Sequence, residues 1–179
     1  MHTDRLLNIA DTAPERPTPQ VFQQWMDDLA DIMALAAQAP VQSQYPLAIL
    51  RARIFPSLWY GQYLLLREQG HALAFVNWAW LEEATAQNYQ HTQCYLEPDQ
   101  WREGSHLWFM EILGGPQYLQ PLIYRLRDRI PTGTQAYWHE VTELGAASVV
   151  LRTALFWPKV NSSLPQSIDG GFYLVDGYN

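Results

Sequence analysis

The sequence predicts an α+β domain, a mixed sheet flanked by helices. Three observations lead there: apolar residues at helical spacing near residues 19–40 and 119–130, apolar runs of strand length near 62–81 and 107–113, and a length of 179 residues that fits one domain. Hydrophobic residues make up 48% of the chain and charged residues 16%, enough apolar surface for a core and too much for a disordered chain.

The elements follow in order. Thr18 and Pro19 supply an N-cap and a proline at the first helical position. Phe22, Trp25, Met26, Leu29, Ile32, Met33 and Ala36 then recur three and four apart, predicting an amphipathic helix that ends near Pro40. Residues 42–46 are a polar connector. The stretch 47–54, bounded by Pro46 and Pro56, reads as a short helix. Residues 62–68 and 72–81 read as a β-hairpin around Gln69-Gly70. Residues 82–91, polar and alanine-containing, suit a helix, and 97–101 a loop. The apolar strand 107–113 carries one charge, Glu111, and is stopped by Gly114-Gly115-Pro116. Leu119, Leu122, Ile123, Leu126 and Ile130 mark a further amphipathic helix, whose polar side holds Arg125, Arg127, Asp128 and Arg129. Two strands, 135–141 and 147–156, complete the order helix, helix, hairpin, helix, strand, helix, strand, strand. Residues 1–17 are expected to be a flexible N-terminal arm, 18–157 the folded domain and 158–179 an extended C-terminal tail.

Charge and cysteine content narrow the function. Eleven Lys and Arg against 18 Asp and Glu give a net charge of −7, the wrong sign for coating nucleic acid. Cys94 is the sole cysteine, so neither a disulfide framework nor a cysteine-rich metal site is expected. The first residues lack a signal-peptide pattern, and no stretch approaches the roughly 20 apolar residues of a membrane span. The expectation is a cytoplasmic protein with no metal.

The aromatic and proline landmarks run collinearly: Pro46 through Pro56, Gln62-Tyr63-Leu64-Leu65-Leu66, Trp78-Ala79-Trp80-Leu81, Tyr89, Trp101, Gly104, Trp108-Phe109 and Ile130-Pro131. From about residue 25 to 139 this pattern resembles the toxin-activating lysine acyltransferases, which attach a fatty acyl group from acyl-carrier protein to internal lysines of RTX toxins. The resemblance implies a GNAT-like fold and an acyl-carrier-protein thioester, linked through phosphopantetheine, as donor. It also implies a protein or peptide amine as acceptor, no bound cofactor, and a homodimer or heterodimer. The family's catalytic pair is a His in a Ser-Pro-x-His context and an Asp in the strand after Trp-Phe. Carried over, these positions fall on Gln42, in Ala39-Pro40-Val41-Gln42, and on Glu111. A carboxylate survives and the imidazole does not.

Glutamine has no proton that titrates near neutrality, so it cannot serve as base or form an acyl-imidazole, though it can hydrogen-bond. Three readings follow. In the first, Glu111 is the general base toward an amine, directly or through water, and Gln42 orients the thioester or stabilises its oxyanion. Desolvation among Trp108, Phe109, Met110 and Ile112 would then tune a buried carboxyl toward that task. In the second, the chain is a catalytically impaired subunit of a heteromeric modification complex. In the third, one of His71, His91, His106 or His139 replaces the lost imidazole. His71 and His91 read as solvated surface, and His106, five residues before Glu111, is too far along a strand for direct contact. Tyr89, Gly114 and Gly115 are candidates for substrate binding. Arg125 and Arg129, four apart on one helix face, are candidates for docking an acidic carrier protein, within a positive cluster that also draws on Arg51 and Arg53. Solvated helix face, turn glycines and a packed tyrosine are the plain alternatives for these residues.

Overall fold

A computed structural model describes residues 18–141 and 149–156. The arm 1–17 and the tail 158–179 lie outside the described residues, as do the first two positions of the strand expected at 147–156. The elements appear in the predicted order: α1 (Pro19–Gln38), α2 (Leu47–Tyr60), β1 (Tyr63–Glu68), β2 (His71–Leu81), α3 (Glu83–Thr92), β3 (His106–Gly114), α4 (Leu119–Leu126), β4 (Gln135–Val141) and β5 (Val149–Leu155). Short 3-10 turns cover Gln42–Gln44, Pro98–Trp101 and Pro116–Tyr118.

The sheet is ordered β1-β2-β3-β4-β5. All neighbours are antiparallel except β3 and β4, which are parallel. Two faces are thereby defined. On one, Ala74, Val76 and Trp78 of β2, Leu107 and Phe109 of β3 and Ala136 of β4 pack under Leu122 and Leu126 of α4. On the other, Phe75 and Leu113 meet Ile32, Leu35 and Ala36 of α1 and Leu50, Ile54 and Leu58 of α2, while Ala79, Leu81, Trp108 and Met110 meet Ala86 and Tyr89 of α3. Each of the large aliphatic side chains withdrawn from water contributes about 1.5–3 kcal/mol.

Three expectations need correction. Helix α2 does not stop before Pro56 but carries it in its interior. The proline forfeits one backbone hydrogen bond, but Leu50, Ile54 and Leu58 lie four apart and bury one stripe across it, and that burial offsets a cost of about 3 kcal/mol. Helix α4 is shorter than 119–130: after Leu126 the amides of Asp128 and Arg129 bond three residues back, to Arg125 and Leu126, which tightens the chain into turns. In α1, Phe22 and Met26 are 54% and 45% exposed, whereas the charged Asp28 is buried.

Asp28 faces the sheet because β1 meets it there with donors. Its carboxylate accepts from the Tyr63 hydroxyl at 2.5 Å, Arg67 Nη2 at 2.6 Å and Gln24 Nε2 at 2.8 Å, and Arg67 also reaches Asp31. Burial alone would raise the Asp28 carboxyl, but the bonds from Tyr63, Arg67 and Gln24 outweigh it and hold it below the ordinary aspartate value of 3.8. A carboxyl depressed on folding stabilises the fold above its unfolded pKa, and that stability fades as pH falls through the folded value. Asp28→Asn should therefore lower the unfolding free energy at pH 7 by about 1–3 kcal/mol. The gap to the wild type should close as the pH is taken below 3.8, as urea titrations at a series of pH values would show.

Candidate active site

Regular alternation along β3 would place Glu111 with Leu107 and Phe109, on the α4 side. A β-bulge prevents this. Asn77 of β2 pairs with Glu111 and Trp78 with Phe109, so Met110 has no opposite number. The extra residue brings Met110 and Glu111 to one face, and Glu111 joins Trp108 on the side covered by α1, α2 and α3. Asn77, fully buried, fixes the bulge: its Oδ1 accepts from the Glu111 amide at 2.8 Å, and its Nδ2 donates to the Arg53 carbonyl at 2.6 Å and to Ser57 Oγ at 3.0 Å.

Around the Glu111 carboxylate, itself 3% exposed, side chains from separate elements converge. Gln42, on the turn after α1, donates through Nε2 to Oε2 at 3.0 Å. Arg53 of α2 places Nη1 3.0 Å from Oε1, an ion pair that is out of line for a hydrogen bond. The other guanidinium nitrogen, Nη2, donates to the Tyr89 hydroxyl of α3 at 2.9 Å, and the Tyr45 ring lies 6.0 Å from the guanidinium carbon. The turn that carries Gln42 is tied down by Gln44 Nε2, which donates to the Pro40 carbonyl at 2.7 Å. Beyond Leu107–Phe109 and Ala136–Trp138 no ladder joins β3 to β4 among the described residues, so the two parallel strands part beside this cluster.

The site holds a fixed pattern of charge. Burial would weaken the Arg53 cation, but the Glu111 charge and the Tyr89 hydroxyl outweigh it and raise its pKa. Burial, with Glu111 adding to it, raises the Tyr89 phenol against the opposing pull of Arg53, and burial and Glu111 likewise raise Tyr45. Both rings stay neutral. The Gln42 amide nitrogen carries two protons and commits one to Glu111, so the second remains for another acceptor.

The two positions carried over from the resemblance, Gln42 and Glu111, are in direct contact. Tyr89 joins them through Arg53. The carboxylate meets a guanidinium and an amide rather than the apolar residues that flank it in sequence. Gly114 ends β3 opposite Ala74 with φ +118°, where a Cβ would sit 2.6 Å from the Leu73 carbonyl oxygen. Gly115 precedes the turn Pro116–Tyr118. Arg125 is exposed in the last turn of α4 and Arg129 in the turns beyond it, so the two do not share one helix face as expected, and both lie across the sheet from Glu111. Arg53 does not belong to a surface cluster, since only 18% of its side chain is exposed. Sequence reasoning missed Arg53, Asn77 and Tyr45 as parts of this neighbourhood, and of the four histidines considered as replacements His139 packs against Tyr89 and Trp108. One signal was available: Asn77 is the lone polar residue inside β2, as Glu111 is inside β3.

Residues 23–154 match the RTX toxin acyltransferase family. The chain is 28% identical over 103 residues to the RTX-I toxin-activating lysine-acyltransferase of Actinobacillus pleuropneumoniae, covering 58% of this chain and 60% of that one. It is 32% identical over 97 residues to the leukotoxin-activating lysine-acyltransferase of Aggregatibacter actinomycetemcomitans, covering 54% and 58%. A protein-lysine myristoyltransferase of Kingella kingae is 27% identical over 94 residues, covering 51% and 56%. The chain thus spans about three fifths of the length of the curated relatives it matches.

Removing one partner of a buried ion pair leaves the other charge uncompensated, whereas replacing both does not. Arg53→Met should cost about 3 kcal/mol in chemical denaturation, and Arg53→Met combined with Glu111→Gln should recover part of that loss. Equal stability of the single and double variants would show that the pair is not coupled.

Proposed function

The chain belongs to the RTX toxin acyltransferase family, and from that membership we propose that it is an acyltransferase moving an acyl group from acyl-carrier protein to an amine of a protein or peptide. The observation that carries this reading is the 3.0 Å contact between Gln42 and Glu111, residues 69 apart in sequence onto which the resemblance carries the family's catalytic pair. Glu111 takes a proton from the incoming amine, directly or through water. Arg53 holds the carboxylate in place, and the free amide proton of Gln42 faces the thioester oxygen as it becomes an oxyanion. The carbon–nitrogen bond forms, the carbon–sulfur bond breaks, and the carrier's phosphopantetheine departs as a thiol.

Tyr89, Gly114 and Gly115 are the proposed substrate-binding residues, and Arg125 and Arg129 the proposed carrier-docking pair, supported by their exposure. Phe22 and Met26 of α1 and Leu47, Phe55 and Trp59 of α2 are exposed apolar side chains, which supports a dimer, with itself or with a related subunit. Among the described residues no helix is long and apolar enough to cross a membrane, and a cytoplasmic location is part of the proposal. A second reading has its own support: both carboxylate oxygens of Glu111 are engaged by Arg53 and Gln42, and Gln42 has no titrating proton. On that reading the chain is a catalytically impaired subunit of a heteromeric modification complex.

Incubation with loaded carrier protein and an acceptor, read by intact mass, separates the two: an acyl adduct supports transfer and its absence supports the impaired subunit. If Glu111 is the base, Glu111→Gln should lower transfer by about a hundredfold or more. For docking, Arg125→Glu with Arg129→Glu should weaken carrier binding and flatten its salt dependence in titration calorimetry, while Arg127→Glu, half-buried, should matter less. An unchanged salt slope in the double variant rejects that face.

A further inference from the structure

His139 lies on β4 just past the end of the β3–β4 ladder, and its ring packs on Tyr89 at 5.5 Å and on Trp108 at 5.1 Å between centroids. Tyr89 is the residue whose hydroxyl accepts from Arg53, so the imidazole shares a wall with the Glu111–Arg53 pair. His139 Nε2 is 3.1 Å from the Gln90 carbonyl oxygen. A carbonyl only accepts, so the ring proton sits on Nε2 and Nδ1 keeps its lone pair. That Nδ1 is buried and has no hydrogen-bond partner among the described residues. A buried acceptor left unpaired carries a desolvation cost that an apolar ring at this position would not incur.

We propose that His139 is a second acid–base group of this site, accepting through Nδ1 the proton that the attacking amine sheds on forming the amide and returning it to the departing thiolate. The inference rests on the acyltransferase reading. An amine that arrives as an ammonium ion has two protons to lose. Glu111 takes the first and releases it to water. Attack on the thioester carbonyl forms the carbon–nitrogen bond, and the adduct passes its second proton to His139. When the carbon–sulfur bond breaks, the thiolate takes that proton and leaves as a thiol, which restores the neutral imidazole.

The surroundings suit that role. Burial lowers the His139 pKa, the Gln90 carbonyl opposes this, and the Arg53 charge adds to the lowering, so the ring is neutral at pH 7. The titratable and charged groups about it are Arg53 from α2, Tyr89 from α3, Glu111 of β3 behind Arg53, and Tyr137 on its own strand, stacked on Trp108. Tyr89 is held neutral by burial, which leaves Arg53 as the charge that His139 feels.

The experiment is the pH profile of acyl transfer, by intact mass, for the wild type and His139→Gln, which keeps hydrogen-bonding capacity without titrating. His139→Gln should reduce transfer by about a hundredfold and remove an acidic limb lying below 6.5, the ordinary imidazole value. Nitrogen NMR of the wild-type imidazole should show the Nε2–H form and ionise at the same pH as that limb, a readout that does not depend on a variant folding. Unchanged rate and profile in His139→Gln, or an NMR ionisation displaced from the limb, overturns the inference and leaves the acyltransferase reading intact. Absence of transfer by the wild type overturns both.

Discussion

A carboxylate withdrawn from water is the constraint on which this structure turns. Leaving the Glu111 charge unpaired would cost several kcal/mol, a large share of the stability of a domain this size. The fold answers by bringing distant elements to it: Arg53 from α2, the Gln42 amide from the turn after α1, and the side chain of Asn77 on its backbone amide. Asn77 also bonds the Arg53 carbonyl, so the residue that positions Glu111 positions its counter-ion. The setting of α2 on the sheet is therefore tied to the charge beneath it, which gives a reason for the helix to run on through Pro56.

The same arrangement sets the chemistry available. Arg53 remains a cation, Tyr89 and Tyr45 remain neutral phenols, and Gln42 supplies a donor that cannot change protonation. Donors already oriented in a water-poor setting suit a reaction that develops negative charge on oxygen, because little reorientation accompanies that charge. The sheet separates this cluster from the exposed arginines Arg125 and Arg129, at and beyond the end of α4. A carrier seated on α4 would have to pass its phosphopantetheine arm around the sheet edge, whereas the parting of β3 and β4 lies beside Glu111 on its own face.

Much of the fold was legible because its signals are local. Thr18-Pro19 fixed the start of α1, the Gln69-Gly70 turn fixed the hairpin, and strand-length apolar runs fixed β2 and β3. What was not legible depended on partners far away in sequence. Pro56 looks like a boundary until Leu58 is seen to pack beyond it. Phe22 and Met26 read as core until Tyr63 and Arg67 are found to claim Asp28 instead. Arg53 reads as surface until Glu111 is placed beneath it. The pairing of Gln42 with Glu111 was visible only through family resemblance, since nothing local connects positions 69 apart. His139 was one of four candidate histidines, and nothing local singled it out, because its neighbours Tyr89 and Trp108 come from other elements.

The bulge at Met110 bears on how such a site changes over evolutionary time. The direction of residue 111 is set by an unpaired residue in the ladder and by a bond from Asn77 to the backbone amide, neither of which depends on the side chain at 111. Likewise the turn bearing residue 42 is closed by Gln44 on the Pro40 carbonyl rather than by residue 42. A lineage can therefore exchange the groups displayed at these two addresses by single substitutions while the geometry between them persists. Only an insertion or deletion in β3, which would return residue 111 to the opposite face, erases the address itself. That asymmetry lets the amide and the carboxylate shown here keep hydrogen-bonding distance whichever groups stood at the two positions before.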